Sequence, residues 1–309
     1  MSIISIAPET VGIVLVNFNG MKFMPECLES LGRIDYPNAK IVVVDNASSD
    51  RSAEWVETNC PSVTLIRLPT NTGITGGNNA GIEWCRQNSC HQILLLNNDT
   101  VVEPEFLSKL MAHHEPNCLL VPKIYFHNNK NLLNNHLGSY DYWRGLHLDW
   151  FYAQPDSPSS NMIRLATMAN TCALLIPSNI INQVGLMDER FFIYADDTDF
   201  ITRAVRAGAK IKFIPDAVIY HKESSSSGGT DSPLTVYYSN RNRLSFMVKH
   251  QKSRVALTFF ILYFSTTRIL VALNYLLHGR RSQFLAMRNA LLDFCLGRMG
   301  QASPSRFQS

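Results

Sequence analysis

Four short, almost wholly apolar runs at 11–16, 40–44, 63–68 and 92–96 constrain this chain more than any other feature. Strands covered on both faces show no polar alternation, and such strands occur in parallel sheets layered between helices. The stretches between the runs supply those helices: Met24, Leu28 and Leu31 mark one amphipathic helix, and residues 82–85 sit within another. Each run closes on a polar cluster, at 17–20, 45–50, 69–77 and 97–100. Ligands of open parallel sheets bind outside the carboxyl ends of the strands, so these clusters stand where a ligand would sit. Beyond residue 123 the pattern loosens, with a loop at 155–160. Regular structure resumes as a strand at 171–176, a helix at 196–207 closed by Gly208, and strands at 210–214 and 217–220. A Ser/Gly run at 224–229 is expected to be a mobile loop, followed by helices nearly to the end.

A hydrophobic content of 46% with 17% charged residues excludes wholesale disorder. The net charge of +3 hides an asymmetry. From Tyr238 onward eleven Lys and Arg face a single acid, Asp293, while the rest holds seventeen basic and twenty-four acidic residues. A basic tail on an acidic body suggests a polyanionic partner. The seven cysteines are scattered and none forms a Cys-x-x-Cys pair, which fits reduced thiols in a reducing compartment. The first ten residues lack the basic n-region of a secretory signal.

Several polar residues have types and positions suited to chemistry. Asp45 opens the turn Asp45-Asn46-Ala47-Ser48-Ser49-Asp50 directly after a buried run. A carboxylate there can accept hydrogen bonds from a pyrimidine imide or ribose hydroxyls, although Ser48, Ser49 and Asp50 also suit a helix cap. The Gly/Asn-rich stretch 71–81 reads as a loop entering a helix. Its glycines, Gly73 and Gly77 among them, allow close backbone approach to an anionic ligand, or only positive φ in a tight turn. Asn97-Asn98-Asp99 offers one carboxylate between amides, enough for a divalent cation already bound to diphosphate, or merely a structural turn. Asp196, Asp197 and Asp199 crowd a helix start. Asp199 has Arg203 at i,i+4 as a structural partner. Asp197 shares a face with Ile201, is expected to point inward, and has in Asp196 a neighbour that would raise its pKa; it is the candidate general base. His221, closing a strand, is a candidate metal ligand or an ordinary core histidine.

In this order the motifs resemble family 2 glycosyltransferases, inverting enzymes with a GT-A-type fold. The resemblance spans roughly residues 10–250. It rests on Val14-Leu15-Val16-Asn17-Phe18-Asn19-Gly20, Val43-Val44-Asp45-Asn46-Ala47-Ser48-Ser49-Asp50, the 71–81 stretch, Leu96-Asn97-Asn98-Asp99, residues 192–203 and Arg241-Asn242-Arg243. Rhamnosyltransferase-like members are the most similar. The resemblance implies an α/β, GT-A-type nucleotide-sugar-binding fold with a mostly parallel sheet over 1–250, then a helical, membrane-associated segment over 251–309. It further implies donor contacts from Asn17, Asn19, Asp45, Asn46, Gly73, Gly77, Asn78, Asn98, Asp99 and Arg241. Asp99 and His221 would hold Mg²⁺ or Mn²⁺, and Asp197 would deprotonate the acceptor. Two departures stand out: the family's Asp-x-Asp is Asn97-Asn98-Asp99 here, and its Glu-Asp is Asp196-Asp197. The Gln-x-x-Arg-Trp element of processive synthases is absent, so one sugar per encounter is expected.

The implied reaction moves a single sugar, with dTDP-rhamnose the favoured donor and a UDP-sugar second. The acceptor would be a lipid-linked saccharide of cell-surface polysaccharide synthesis. A second reading is a catalytically silent nucleotide-sugar-binding or scaffold subunit. A sugar nucleotidyltransferase is disfavoured, because its basic, glycine-rich N-terminal loop is missing. Residues 255–278 are apolar and long enough to span a bilayer, but contain Arg268. Arg254, Thr258, Ser265 and Arg268 fall in one stripe at about 100° per residue. That pattern suits a helix lying in a membrane interface, basic side toward the headgroups. Docking on the catalytic domain or another subunit is the alternative, with homo-oligomers left open. The expected location is cytoplasmic and peripheral, with no nucleic acid bound.

Overall fold

The computed structural model describes residues 8–223, 229 and 231–307. The expected mobile loop therefore lies, but for Gly229, outside the described residues, as do the first seven positions.

The chain opens β1 (Val11–Asn17), α1 (Met24–Leu31), β2 (Ala39–Asp45), α2 (Ser52–Asn59), β3 (Thr64–Arg67), α3 (Gly73–Gln87) and β4 (Gln92–Asn97). It continues through β5 (Thr100–Val102), α4 (Phe106–Met111), β6 (Cys118–Phe126), β7 (Asn129–Leu133), β8 (Leu137–Asp141), β9 (Leu146–Asp149), β10 (Arg164–Ala166) and β11 (Met168–Ala169). Then follow β12 (Ala173–Pro177), α5 (Ser178–Val184), α6 (Asp196–Arg206), β13 (Lys210–His221), α7 (Pro233–His250), α8 (Arg254–Leu277) and α9 (Arg281–Cys295). The main sheet runs β10-β13-β6-β12-β4-β1-β2-β3, with β5 and β7 attached at its side. From β13 to β3 only β12 is reversed, antiparallel to both β4 and β6. A small sheet, β11-β8-β9, sits apart.

The apolar runs are explained by burial on both faces. Along β1, Val11, Ile13 and Leu15 join Met24, Leu28 and Phe106 on one side, while Val14 meets Ile82, Phe200 and Ile201 on the other. The stretch expected as a loop is different: Gly73 already begins α3. Glycine is a poor helix former, but here its missing side chain lets α3 press on β1. A Cβ at Gly77 would lie 2.6 Å from Val16, and one at Gly81 2.2 Å from Val14. The two strands expected at 210–214 and 217–220 are one, β13, whose register against β6 shifts between Ile214 and Val218. Pro215 cannot donate to the ladder, and the bulge accommodates it. All seven cysteines are free.

Helix α7 packs on α9, with Tyr237 donating to Asp293 at 2.7 Å and the Ala302 amide donating to Tyr238 at 2.9 Å. The basic stripe expected on α8 does not stay together. Arg254, Thr258 and Ser265 are exposed, but Arg268 turns inward over Phe264 and donates to Asn240 of α7 at 3.2 Å. Only a narrow band, Ala256, Phe260, Phe264 and Tyr275, is buried. Val255, Leu262, Leu270 and Leu277 are 62–83% exposed.

Candidate active site

Strand register places the first half of the site. Asn17 lies opposite Asp45, and Val16 opposite Asn97, so the polar ends of β1, β2 and β4 converge. Asn17 is fully buried and works as a joint. Its Nδ2 donates to Asp45 Oδ1 at 2.9 Å, Ser48 Oγ at 3.1 Å and Ser52 Oγ at 2.7 Å, and its Oδ1 accepts from Asn98 Nδ2 at 3.1 Å. The other Asp45 oxygen accepts the Ser48 amide at 3.2 Å. Asn19 holds the same turn from outside, accepting the Ser49 amide at 2.8 Å. Asn46 ties the turn to α3, donating to the Gly73 carbonyl at 2.8 Å and accepting the Thr72 amide at 2.7 Å.

Asp99 stands next along the chain, buried, with Oδ1 3.2 Å from His221 Nε2. Burial opposes charging His221, but Cys172 and the Asp99 carboxylate beside it outweigh that and push the imidazole well above its ordinary value. His221 Nδ1 lies 2.7 Å from Asn134 Oδ1. An amide oxygen only accepts, so Nδ1 donates to it, and a cation coordinated at Nε2 would displace the proton shared there with Asp99. Two ligands about 2.1 Å from one octahedral ion and cis to each other stand about 3 Å apart, so this pair fits a divalent cation. Among the described residues no group of three His, Cys, Asp or Glu could hold one, so remaining positions would fall to ligand oxygens and water.

The second half of the site is carried by residues 191–197. Phe192, Tyr194 and Ala195 all have left-handed backbones, with φ of 66°, 65° and 62°. Such geometry costs energy in residues with a Cβ and persists only where neighbours enforce it. The enforcing neighbour is Asn242 of α7. Its Nδ2 faces the carbonyls of Phe191, Ile193 and Tyr194 at 2.8, 2.7 and 3.0 Å, and its Oδ1 accepts Arg241 Nε at 2.9 Å. From the other side Gly73 presses on Phe192, where a Cβ would come within 2.2 Å of the Phe192 carbonyl oxygen. Asn79 of α3 accepts the Met187 amide at 3.0 Å and donates to Glu189 at 2.9 Å. Asp45, Asn46, Gly73, Phe192 and Asp197 thus belong to one braced unit.

The three acids at the start of α6 differ sharply. Asp196, not Asp197, is the buried one, and burial with the Asp197 charge pushes it well above the carboxylate range. The inward position expected for Asp197 belongs to its neighbour. First-turn side chains tilt back past the helix end, which lifts Asp197 off the core face that Ile201 occupies. Asp197 is half-buried and accepts the Thr198 amide at 2.6 Å; Thr198 Oγ1 lies 3.0 Å from His147 Nε2. Burial holds His147 below its ordinary value despite the pull of Asp197. Asp199 is fully buried, meeting Arg203 as expected at 2.9 Å, and also Lys249 at 2.6 Å and His250 at 2.7 Å. Burial works to raise its pKa, but these partners hold it below the usual range.

A family model for glycosyl transferase family 2 matches residues 12–174, more than half of the chain. The chain belongs to glycosyl transferase family 2. This family 2 glycosyltransferase is 23% identical over 228 residues to the dTDP-rhamnosyl transferase RfbF of Shigella flexneri, covering 69% of this chain and 72% of that protein. Its fold is the GT-A type. It matches S. aureus TarS 1-349 in complex with UDP-GlcNAc with a TM-score of 0.58 at 19% identity, over 94% of this chain and 81% of that one. It also matches the Pyrobaculum calidifontis mannosyltransferase PcManGT, in complex with GDP-Man and Mn²⁺, with a TM-score of 0.54 at 13% identity, over 95% and 89%.

Of the residues singled out in the sequence, Asn17, Asn19, Asp45, Asn46, Asn98, Asp99 and His221 gather at the strand ends. Gly73 links them to the Asp197 segment. Gly77 and Asn78 are buried in α3, Gly77 against Val16 and Asn78 with its Nδ2 3.7 Å from Met187 Sδ. Arg241 is elsewhere, on the α9 side of α7, lining a cavity that contains no strand-end residue. Sequence reasoning missed Asn134, Asn79 and Asn242. Asn242 and Asn79 carried a signal, since they stand in the Arg241-Asn242-Arg243 triplet and the 71–81 stretch; Asn134 had none.

Proposed function

We propose that this glycosyltransferase inverts the anomeric centre while moving one sugar from a nucleotide-sugar to a hydroxyl of a lipid-linked saccharide. The donor we favour is dTDP-rhamnose, as the name of the Shigella relative suggests, with a UDP-sugar second. One observation carries the reading: hydrogen bonds join Asp45 through Asn17 to Asn98, the chain neighbour of Asp99 in the Asp99–His221 pair, while Asn46, Gly73 and Phe192 link the same turn to the Asp197 segment. Asp45, oriented by Asn17 and Ser48, accepts hydrogen bonds from the nucleoside. Asp99 and His221 would hold Mg²⁺ or Mn²⁺, which when bound neutralises charge on the leaving diphosphate. The pairing of PcManGT with Mn²⁺ on the same fold supports that choice. Asp197, open to the cleft, accepts the acceptor's proton as its oxygen attacks the anomeric carbon from the face opposite the diphosphate. Asp196, buried beside it, carries its own proton into a higher pH range.

Residues 1–250 form the catalytic part and 251–309 the segment that keeps it at the cytoplasmic face of the membrane. The exposed apolar face of α8 is continuous with Trp143, half-exposed and 5.7 Å from Phe259, a pairing suited to a membrane interface. The test is transfer by the full chain from dTDP-rhamnose, or a UDP-sugar, to a diphospholipid-linked saccharide with Mn²⁺. An inverted product that disappears with chelator is expected; a retained configuration, or full transfer in chelator, contradicts the mechanism. Leu262→Glu with Leu270→Glu should release the protein from anionic vesicles, and unchanged vesicle binding would remove the membrane role.

A further inference from the structure

A second polar cavity, of about 400 Å³, opens between α7, α9 and the chain that follows α9. Arg241, Arg298, Gln301, Ser303, Ser305 and Arg306 line it, and no residue of the strand-end cluster does. The charges around it do not balance. Asp293 is the one acid in the lining, and it is taken up by Tyr237, which donates to it at 2.7 Å, and by Arg306, whose Nε donates at 2.8 Å. Arg298 reaches Asp293 only at 3.6 Å, with its side chain 64% exposed. Arg241 has no carboxylate among its hydrogen-bond partners. It is 1% exposed, its guanidinium lies over the rings of Tyr237 and Tyr238 at 5.2 and 4.9 Å, and its Nη2 has no partner among the described residues.

A buried guanidinium with an unanswered N–H is costly, and polar atoms in that state in a folded protein call for a missing partner. Two arginines in surplus, with the Gln301 amide and the Ser303 and Ser305 hydroxyls 2.7 Å apart, make a donor-rich bowl with net positive charge. Arginine forks match the oxygens of a tetrahedral dianion, and uncharged donors complete its shell. We infer that this cavity is a phosphate-recognition site, separate from the donor cleft, that takes a phosphate monoester or diester. The phosphate has two sources. Leu292 of α9 and Leu296 just past its end, on either side of the cavity's Asp293 in sequence, are 48% and 61% exposed, which suits the headgroup of a phospholipid; the polar bowl equally suits a free phosphate. This inference does not rest on the role given to the strand-end residues.

The test titrates inorganic phosphate calorimetrically into the full chain and into two variants, Arg298→Glu in the cavity and Asp99→Asn in the cleft. Arg298 is exposed and outside any helix, so its variant should melt with the wild type; Arg298→Ala serves as a milder check. Binding weakened about tenfold or more by Arg298→Glu but kept by Asp99→Asn is expected. Phosphatidylglycerol vesicles, but not phosphatidylcholine vesicles, should compete with phosphate if the headgroup is the source. Phosphate binding that is sensitive to Arg298→Glu but untouched by either vesicle assigns the site to a free phosphate. Equal affinity in wild type and Arg298→Glu, no phosphate binding by the wild type, or a loss confined to Asp99→Asn overturns the proposal.

Discussion

The strand ends and the C-terminal helices hold charge in opposite ways. At the strand ends carboxylates sit among amides and hydroxyls: Asp45 on Asn17 and Ser48, and Asp99 beside His221. In the helices arginines lie on aromatic faces, Arg243 over Phe260 and Phe264, Arg268 over Phe264, and Arg241 over Tyr237 and Tyr238. Burial pulls Arg243 and Arg268 below their ordinary values. Strand ends in register bring sequence motifs together in space directly. A helix instead sends consecutive residues to different neighbours about 100° apart. Arg241 and Asn242 show the consequence, since one lines the α9 cavity and the other braces the turn before Asp196 and Asp197.

The difference can be broken first at Asp197. Asp197→Asn should lower kcat by about 10²–10⁴-fold while nucleotide affinity stays nearly constant. Near-native turnover in that variant, with Asp196→Asn inactive, would move the base by one residue. The next effect lies in the helical half and acts on stability. Asp199→Ala strips Lys249, His250 and Arg203 of their shared acid and should cost about 3 kcal/mol of folding free energy, with turnover of the folded fraction unchanged. Because the folded protein holds Asp199 low, the stability it supplies is present above the usual carboxylate range and is lost as pH falls through its lowered pKa.

Asn242→Ala tests whether the helices reach into the chemistry. Without its three carbonyl contacts the 191–195 segment should relax, lowering kcat about tenfold to a hundredfold with little change in nucleotide affinity. A purely structural Asn242 would change the melting temperature and leave kcat per folded molecule intact. The smallest effect is at Asp196. Its folded pKa is raised, so its contribution is harmless below the usual carboxylate range and wild-type stability falls as pH rises toward that elevated value. Asp196→Asn should therefore gain stability relative to wild type as pH rises above the usual carboxylate range, read as a melting-temperature difference that widens with pH.

How far the sequence was legible follows the same division. The four apolar runs and their polar ends announced the sheet and the Asp45–Asp99 cluster, because burial on both faces leaves a local mark. Strand β6 left none: Pro122 and Lys123 interrupt it, and the buried Lys123 is met by Asp156 at 3.2 Å and by Asn161. The start of α3 was hidden because Gly73, Gly76 and Gly77 argue against a helix, and only their neighbours in space explain them: Phe192 at Gly73, Thr72 at Gly76 and Val16 of β1 at Gly77. Asn134 orients His221 from 87 residues away, a relation no local pattern carries. The basic stripe on α8 was expected to face headgroups, and Arg268 found Asn240 instead.

The claim on which the rest depends is that the strand-end cluster is a nucleotide-diphosphate site completed by a divalent cation. Calorimetric titration of dTDP and UDP, with and without Mn²⁺, into wild type, Asp45→Ala and Asp99→Asn tests it most directly. Wild-type affinity should rise with Mn²⁺, Asp99→Asn should lose that rise, and Asp45→Ala should weaken binding in both conditions. Nucleotide binding by wild type that ignores Mn²⁺ and survives both substitutions unchanged would contradict the account.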